Sequence, residues 1–574
     1  MNKGIILRLL VLVLFLGLCH VNLFAQTISF SAIATHIKQD LKTRINGQNK
    51  YIIKSIYAQR GYRPLWAGAK SSQKVNHLME ALDNPLFNYK QKSFDRASIH
   101  RLFYLLDNAE ISPKKQAAAY ARLDLLLSNS MLRLVRFVAQ GDVDWKLVQS
   151  KLAALEENDD IRAQWEMKTK PFPKQKQIVA AIKNNRIIPY LNTLIPMKKR
   201  YKQLIGLLKK YRTMPKPEST DYSSKELALG DNSSRVKALK RRLQISGDYP
   251  KNASIDRTFD SLLEKAVLRY QKRYLLQETG RLNKKMAYYL NQPLTKNIQS
   301  IITNLDKTKL YPKRFKAEHI EVNIPDFNLR YYKGGELLMK KGLIVGRIDR
   351  PTPLFHNSIR YMVLNPTWTI TDNLVKKDLI PTLRTNPLYL EENDIHAFRG
   401  NKEIKVTSEM LDPYEDSDKR VPYRFVQSPG ENNALGKVKF MFPNKYAVYL
   451  HDTDNKALFD RRYKIYSSGC MRVEEPFELM NVLLKHSKRR YSTQKIDKIL
   501  EGNRPISISL KRFIPVHILY FTAYEEEGFA YFRNDIYLYD RIIEESIKEH
   551  SKPTFTMPEK RIISVRINTK PLSN

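Results

Sequence analysis

The segment YLHDTDNKALFDRRYKIYSSGCMRV, residues 449–473, decides how the rest of the chain reads, because it holds Cys470 together with His451. The 574-residue sequence contains two cysteines. The other, Cys19, lies in an N-terminal run that reads as an export signal, so the exported chain carries one thiol with no partner of its own. A lone thiol in an oxidising compartment is an intermolecular bridge, an inert buried residue or a nucleophile. Ser467, Ser468 and Gly469 are small, which lets the backbone turn tightly, leaves Cys470 accessible and frees nearby amides for a developing oxyanion. His451 follows a strand-like run, 446–450, and can face that turn as the base that takes the thiol proton. Arg472 adds a cation that favours thiolate or grips a carboxylate.

The HDT and SSGCMRV pieces of this segment resemble the active-site motif of L,D-transpeptidase (YkuD-type) catalytic domains, a His followed by Ser-x-Gly-Cys-x-Arg. They are most similar to the large periplasmic YcbB-type members. Many relatives carry His directly before the Gly, whereas this chain has Ser468, so position 468 receives no catalytic role. The resemblance implies Cys470 as nucleophile, His451 as base, and Gly469 in the turn whose amides stabilise the oxyanion. It also implies that Tyr449 lines the site, with ordinary strand packing as the alternative. Trp368, from NPTW at 365–368, stands beside the cleft or in the core; Arg472 binds a stem carboxylate or braces the turn. No HExxH or CxxC spacing, P-loop or dinucleotide glycine fingerprint occurs, so no metal and no cofactor is expected.

Working outward, residues 1–26 place Lys3 and Arg8 before an apolar run, 9–18, with Ala25 as the cleavage point, and read as a signal peptide. The run falls short of the about 20 apolar residues a membrane span needs. Leu18 sits where a lipoprotein signal wants a small residue, which argues against lipidation of Cys19. The formal charge of +41 implies acidic surroundings. Export and the lack of an aromatic-interleaved basic motif point away from nucleic acid and toward anionic wall material or an anionic envelope surface.

Residues 27–213 repeat apolar side chains at helical spacing, at 102–106, 117–127 and 131–139, and read as a helical scaffold domain. YAQRGYRPLW (57–66) and SNSMLRLVRFVAQGDVD (128–144) resemble the scaffold region of the YcbB-type proteins, and Tyr62 and Trp66 read as core aromatics. Residues 214–227 form a Pro-containing linker. Residues 228–293, with SRVKALKRRL, TFDSLLEKAVLRYQKRYLL and TGRLNKKM, are similar to the three-helix peptidoglycan-binding family. Arg235, Lys237, Lys240 and Arg241 would suit acidic stem peptides, a degenerate spacer being the alternative. A helical bridge spans 294–315. Residues 316–545 read as the catalytic domain, with strands at 320–324, 343–345, 361–364, 506–510 and 514–522. Between 371 and 430 the strand rhythm gives way to a polar, partly helical insertion, which in the YcbB-type relatives forms a mobile flap and here implies a lid. Residues 546–574 form a basic tail.

The expectation is a multidomain α+β chain: helical scaffold, three-helix peptidoglycan-binding-like module and a mostly β catalytic domain with an inserted lid. The resemblance implies an exported, periplasmic enzyme that joins peptidoglycan tetrapeptide stems by 3-3 cross-links through a Cys470 thioester, releasing D-alanine. An L,D-carboxypeptidase, a cysteine peptidase on stem peptides and a non-catalytic wall-binding protein are the alternatives.

Overall fold

The computed structural model describes residues 28–547 except 46, 68–70, 109–110, 160, 217–218 and 220–225. The signal 1–26 with Cys19, most of the linker 214–227 and all but the first two residues of the tail 546–574 lie outside the described residues. The described chain mixes helix and sheet and divides into two compact units, one of 28–142 and 169–205, the other of 143–168 and 206–547.

The first unit is helical. Its axis is the helix Pro113–Gln140, whose residues from Ala117 to Ala139 are almost all buried, and Phe30–Thr43, Lys50–Ala58, Ser71–Asp83 and Arg96–Asn108 pack around it. The apolar face of this helix meets these neighbours, while Arg122, Arg133 and Arg136 fall among its few positions that are not fully buried. Trp66 is buried and donates its indole N–H to Ser128 Oγ at 2.9 Å, while Asp124 accepts from the Tyr57 hydroxyl and from the Leu65 and Trp66 amides. That carboxylate is buried yet fully satisfied. Tyr62 is half-buried beneath Lys38.

The second unit contains a three-helix module, Ser234–Ser246, Ser261–Arg273 and Lys284–Leu290, packed around Val236, Leu239, Leu243, Leu263, Val267 and Met286. Asp260 and Asn283 cap the second and third helices through the amides of Leu263 and Met286. Lys240 does not reach outward as its sequence position suggests. Its ammonium is buried and donates to Asp260 at 2.6 Å and Asp256 at 3.1 Å, because the loop before the second helix folds two carboxylates over it.

After the helix Leu294–Lys307 the described residues form fifteen strands. These are β1 (His319–Asn323), β2 (Asn328–Lys333), β3 (Glu336–Gly346), β4 (His356–Leu364), β5 (Trp368–Thr369), β6 (Ile395–Arg399), β7 (Lys402–Ile404), β8 (Arg424–Gln427), β9 (Val438–Met441), β10 (Leu450–His451), β11 (Ile465–Ser467), β12 (Met471–Val473), β13 (Ile506–Leu519), β14 (Ala523–Glu526) and β15 (Phe529–Phe532). Nine pair in the order β11-β3-β12-β10-β9-β4-β13-β1-β2, and a β2–β3 pairing closes eight of them into a ring with β11 hung on β3. Closure leaves few edges exposed. The three-helix module is tied to this body by Arg273, which is buried, grips both oxygens of Asp248 and donates to the Ala530 carbonyl at 2.8 Å.

The insertion 371–430 is more than a polar, partly helical stretch. Its segments β6, β7 and β8 join β5 in a second sheet, ordered β5-β8-β6-β7, and its helices bury Val375, Ile380, Leu383 and Leu411 against Phe425. Strands of two to five residues are too short to show the alternation by which a sheet is read from sequence.

Candidate active site

β10 and β12 run parallel with Leu450 opposite Met471 and His451 opposite Arg472. Side chains alternate along a strand, so Leu450, Met471 and Val473 enter the core while Tyr449, His451, Cys470 and Arg472 share the other face. β9 pairs antiparallel with β10 and sets Lys439 directly opposite His451 on that face. Tyr449, His451, Cys470 and Arg472 line a cavity of about 290 Å³, roofed by Leu374, Asp378, Leu379, Thr382 and Tyr389 of the inserted subdomain.

The turn before the thiol depends on Gly469, whose φ of +109° excludes other residues. Ser467 Oγ accepts the Gly469 N–H at 3.2 Å and donates to the Cys470 carbonyl at 2.5 Å. The Gly469 amide is therefore engaged, whereas the N–H groups of Ser468 and Cys470 have no acceptor among the described residues. Gly436, at φ +58°, is pressed against Asp452: a Cβ there would lie 2.4 Å from the carboxyl carbon.

His451 Nδ1 lies 2.5 Å from the Asp452 carbonyl, which can only accept, so Nδ1 carries the proton and Nε2 keeps its lone pair. Burial, with the Arg472 and Lys439 charges, pushes the His451 pKa down to about 3. Burial pushes the Cys470 thiol up to about 11, against the opposing pull of the Tyr449 amide, Arg472 and Lys439. The resting pair is thus a neutral imidazole and a neutral thiol. They line one cavity wall, with no hydrogen bond between them among the described residues. Catalytic hydrogen bonds often form only once substrate is bound.

Arg472 donates to Thr453 Oγ1 at 3.3 Å, and its buried Nε has no hydrogen-bond partner among the described residues. Lys439 reaches the Thr367 carbonyl at 3.2 Å and stands over the Tyr449 ring, with burial pushing its pKa down.

A second cavity, of about 560 Å³, opens on the other side of the thiol. Trp368, Leu374, Tyr449, Ser468 and Cys470 line both, and Gly469 only the second. One wall comes from residues 161–166, where Leu354 and the segment exchange backbone hydrogen bonds, Glu166 N–H to Leu354 O and Leu354 N–H to Gln164 O, both 2.8 Å. Arg350 marks the boundary: it grips both oxygens of Asp378 from the insertion and donates to Ser468 Oγ at 3.1 Å.

The structure thus brings Cys470, His451, Tyr449, Arg472 and Trp368 around one cavity. Lys439, Arg350, Asp378 and the 161–166 wall have no counterpart in the sequence reading, which took Ser467 only as a small turn residue and not for the two hydrogen bonds its hydroxyl makes. The alternation Val438, Lys439, Phe440 carried a signal for Lys439, a cation between two buried apolar residues of one strand. Nothing in the sequence places 161–166 against Leu354.

Residues 317–498 match the model of the L,D-transpeptidase catalytic domain, 52–208 that of a scaffold domain, and 232–290 that of a "Putative peptidoglycan binding domain". The chain is similar to a protein of Haemophilus influenzae described as "Putative L,D-transpeptidase", 34% identical over 245 residues, which are 43% of this chain and 49% of the relative. The match thus spans about half the length of that relative. Two solved L,D-transpeptidases, from Stackebrandtia nassauensis and from Xylanimonas cellulosilytica (residues 123–326), share 13% identity over 52% of this chain. The match covers 96% of the first at a TM-score of 0.21 and 98% of the second at 0.18.

Proposed function

We propose that this chain, whose residues 317–498 match the model of the L,D-transpeptidase catalytic domain, is an exported, periplasmic enzyme that makes 3-3 cross-links between peptidoglycan stems through a Cys470 thioester. Cys470 Sγ attacks the carbonyl carbon joining the third and fourth residues of a donor tetrapeptide stem while His451 Nε2 takes the thiol proton. With both groups neutral at rest, that transfer accompanies attack rather than preceding it. The oxyanion meets the Cys470 N–H. As the C–N bond breaks, His451 gives its proton to the departing amine, D-alanine leaves, and the acyl group remains on sulfur. The side-chain amine of an acceptor stem then attacks the thioester, loses a proton to His451, and forms the new amide as the C–S bond breaks. The thiolate takes the proton back.

The observation that carries this reading is Cys470 standing where two cavities meet, one holding His451, which suits a reaction with two stem substrates. The match of residues 232–290 to a peptidoglycan-binding model supports wall material as the partner. The test is intact-mass analysis with a tetrapeptide stem. A donor-minus-D-alanine adduct on the wild type, absent from Cys470→Ala, is the expected result; D-alanine release by Cys470→Ala at the wild-type rate would refute the assignment.

A further inference from the structure

Away from the catalytic cavities, the helices Pro476–Leu484 and Thr493–Glu501 border a cleft of about 930 Å³. Phe477, Met480, Leu484 and Ile496 give it apolar lining. Lys485, Lys488, Arg489, Arg490 and Lys511 also line it, against one carboxylate, Asp497. None of the five cations forms an ion pair among the described residues, whereas the neighbouring His486 and Arg512 both contact Glu318, at 2.8 and 3.1 Å.

The basic loop is held in place. The Lys488 N–H donates to the Ser509 carbonyl at 2.9 Å and the Lys511 N–H to the His486 carbonyl at 2.7 Å, fastening the loop to β13 where its register with β4 shifts between Ser509 and Ile514. At that irregularity Phe513 is 51% exposed, with the Arg360 guanidinium 5.7 Å from its ring centroid. Phe513 follows the cleft-lining Lys511 by two residues along β13, so one short stretch of chain carries both an exposed aromatic and a cation without an ion pair among the described residues. Cations alone would suit any polyanion, but the aromatic and the apolar lining add a requirement for hydrocarbon.

We infer that this face docks the protein on an anionic lipid bilayer, with the loop cations on headgroup phosphates, Phe513 at the interface and acyl carbons over the apolar lining. The inference is independent of the transpeptidase reading, since none of these residues touches the catalytic cavities.

The test uses the chain without residues 1–26, which the described fold does not include, and vesicles of phosphatidylcholine with or without about a quarter phosphatidylglycerol. Binding is expected only to the anionic vesicles. At roughly fivefold per cation near such a surface, loss of three attractions alone costs about 100-fold, so Lys488→Glu/Arg489→Glu/Arg490→Glu, which also adds three repulsions, lowers vesicle affinity by at least about 100-fold. In a Phe513→Trp variant, lipids brominated on the acyl chain are expected to quench fluorescence beyond the parent's, and the charge-reversed background abolishes that quenching. Turnover of soluble stem peptides stays unchanged in both variants. Equal binding to neutral vesicles, unaltered affinity after charge reversal, or capture of a soluble acidic peptide without vesicle binding would overturn the inference.

Discussion

Asp378→Asn tests whether the inserted subdomain is fastened over the thiol by one ion pair. Arg350 is 12% exposed and Asp378 42%, and two guanidinium nitrogens reach two carboxylate oxygens, one pair at 2.8 Å. Exposed pairs contribute about 0–1 kcal/mol, and breaking a buried pair costs about 3–5 kcal/mol. A bidentate pair with one buried partner falls between these limits, at about 1–2 kcal/mol. The amide keeps the shape and removes the charge, so local opening of 372–385 rises about 5- to 30-fold at about 1.4 kcal/mol per tenfold. Hydrogen exchange read by peptide mass measures this directly, with β4 and β13 as the internal reference. The charge-swapped pair, Arg350→Asp with Asp378→Arg, should recover part of the protection. A change in 372–385 below about twofold, or an equal change in β13, would refute the reasoning.

Three further outcomes follow from individual contacts. Because burial raises the Cys470 thiol to about 11, its alkylation by iodoacetamide should keep climbing about tenfold per pH unit past pH 9 rather than levelling near 8.5, provided the fold stays intact; a plateau near 8.5 would contradict the buried neutral thiol. Burial alone would raise the Asp326 carboxyl, but Arg330 and Arg533, each at 2.6 Å, hold it well below the usual range. Its contribution is therefore present above its unfolded pKa and lost as pH falls toward the folded one, and Asp326→Asn should cost about 3–5 kcal/mol in denaturant melts at neutral pH. Gly436→Ala brings a side chain to φ +58° and into Asp452, whose carbonyl orients His451, so turnover should fall while strain costs about 1–3 kcal/mol of stability; wild-type turnover in this variant would remove Asp452 from the orienting role.

The amphipathic and short-range features were legible in the sequence. The helix Pro113–Gln140 announces itself by apolar spacing, and Trp66 by its aromatic neighbourhood. The pieces around Cys470 were legible because small residues, a thiol, a histidine and an arginine stand within one segment. Long-range closure was not legible. Residues 161–166 join the second cavity through two backbone hydrogen bonds to Leu354, which main-chain groups make largely irrespective of side chain. The insertion's sheet uses strands too short to alternate, and Lys240 looked available because the carboxylates that cover it lie in a later loop. Ser467 takes the Gly469 amide that the turn's composition left for the oxyanion. Such contacts depend on where the backbone path brings the groups together, which residue type alone does not show.

Product analysis after mixing the protein with purified tetrapeptide-rich muropeptides, beside Cys470→Ala, tests the central claim most directly. The account predicts a dimer joined between two third residues, lighter by one D-alanine, formed by the wild type and absent with Cys470→Ala. Tripeptide monomer alone, with acceptor stems present, would contradict it by showing that water takes the acyl group.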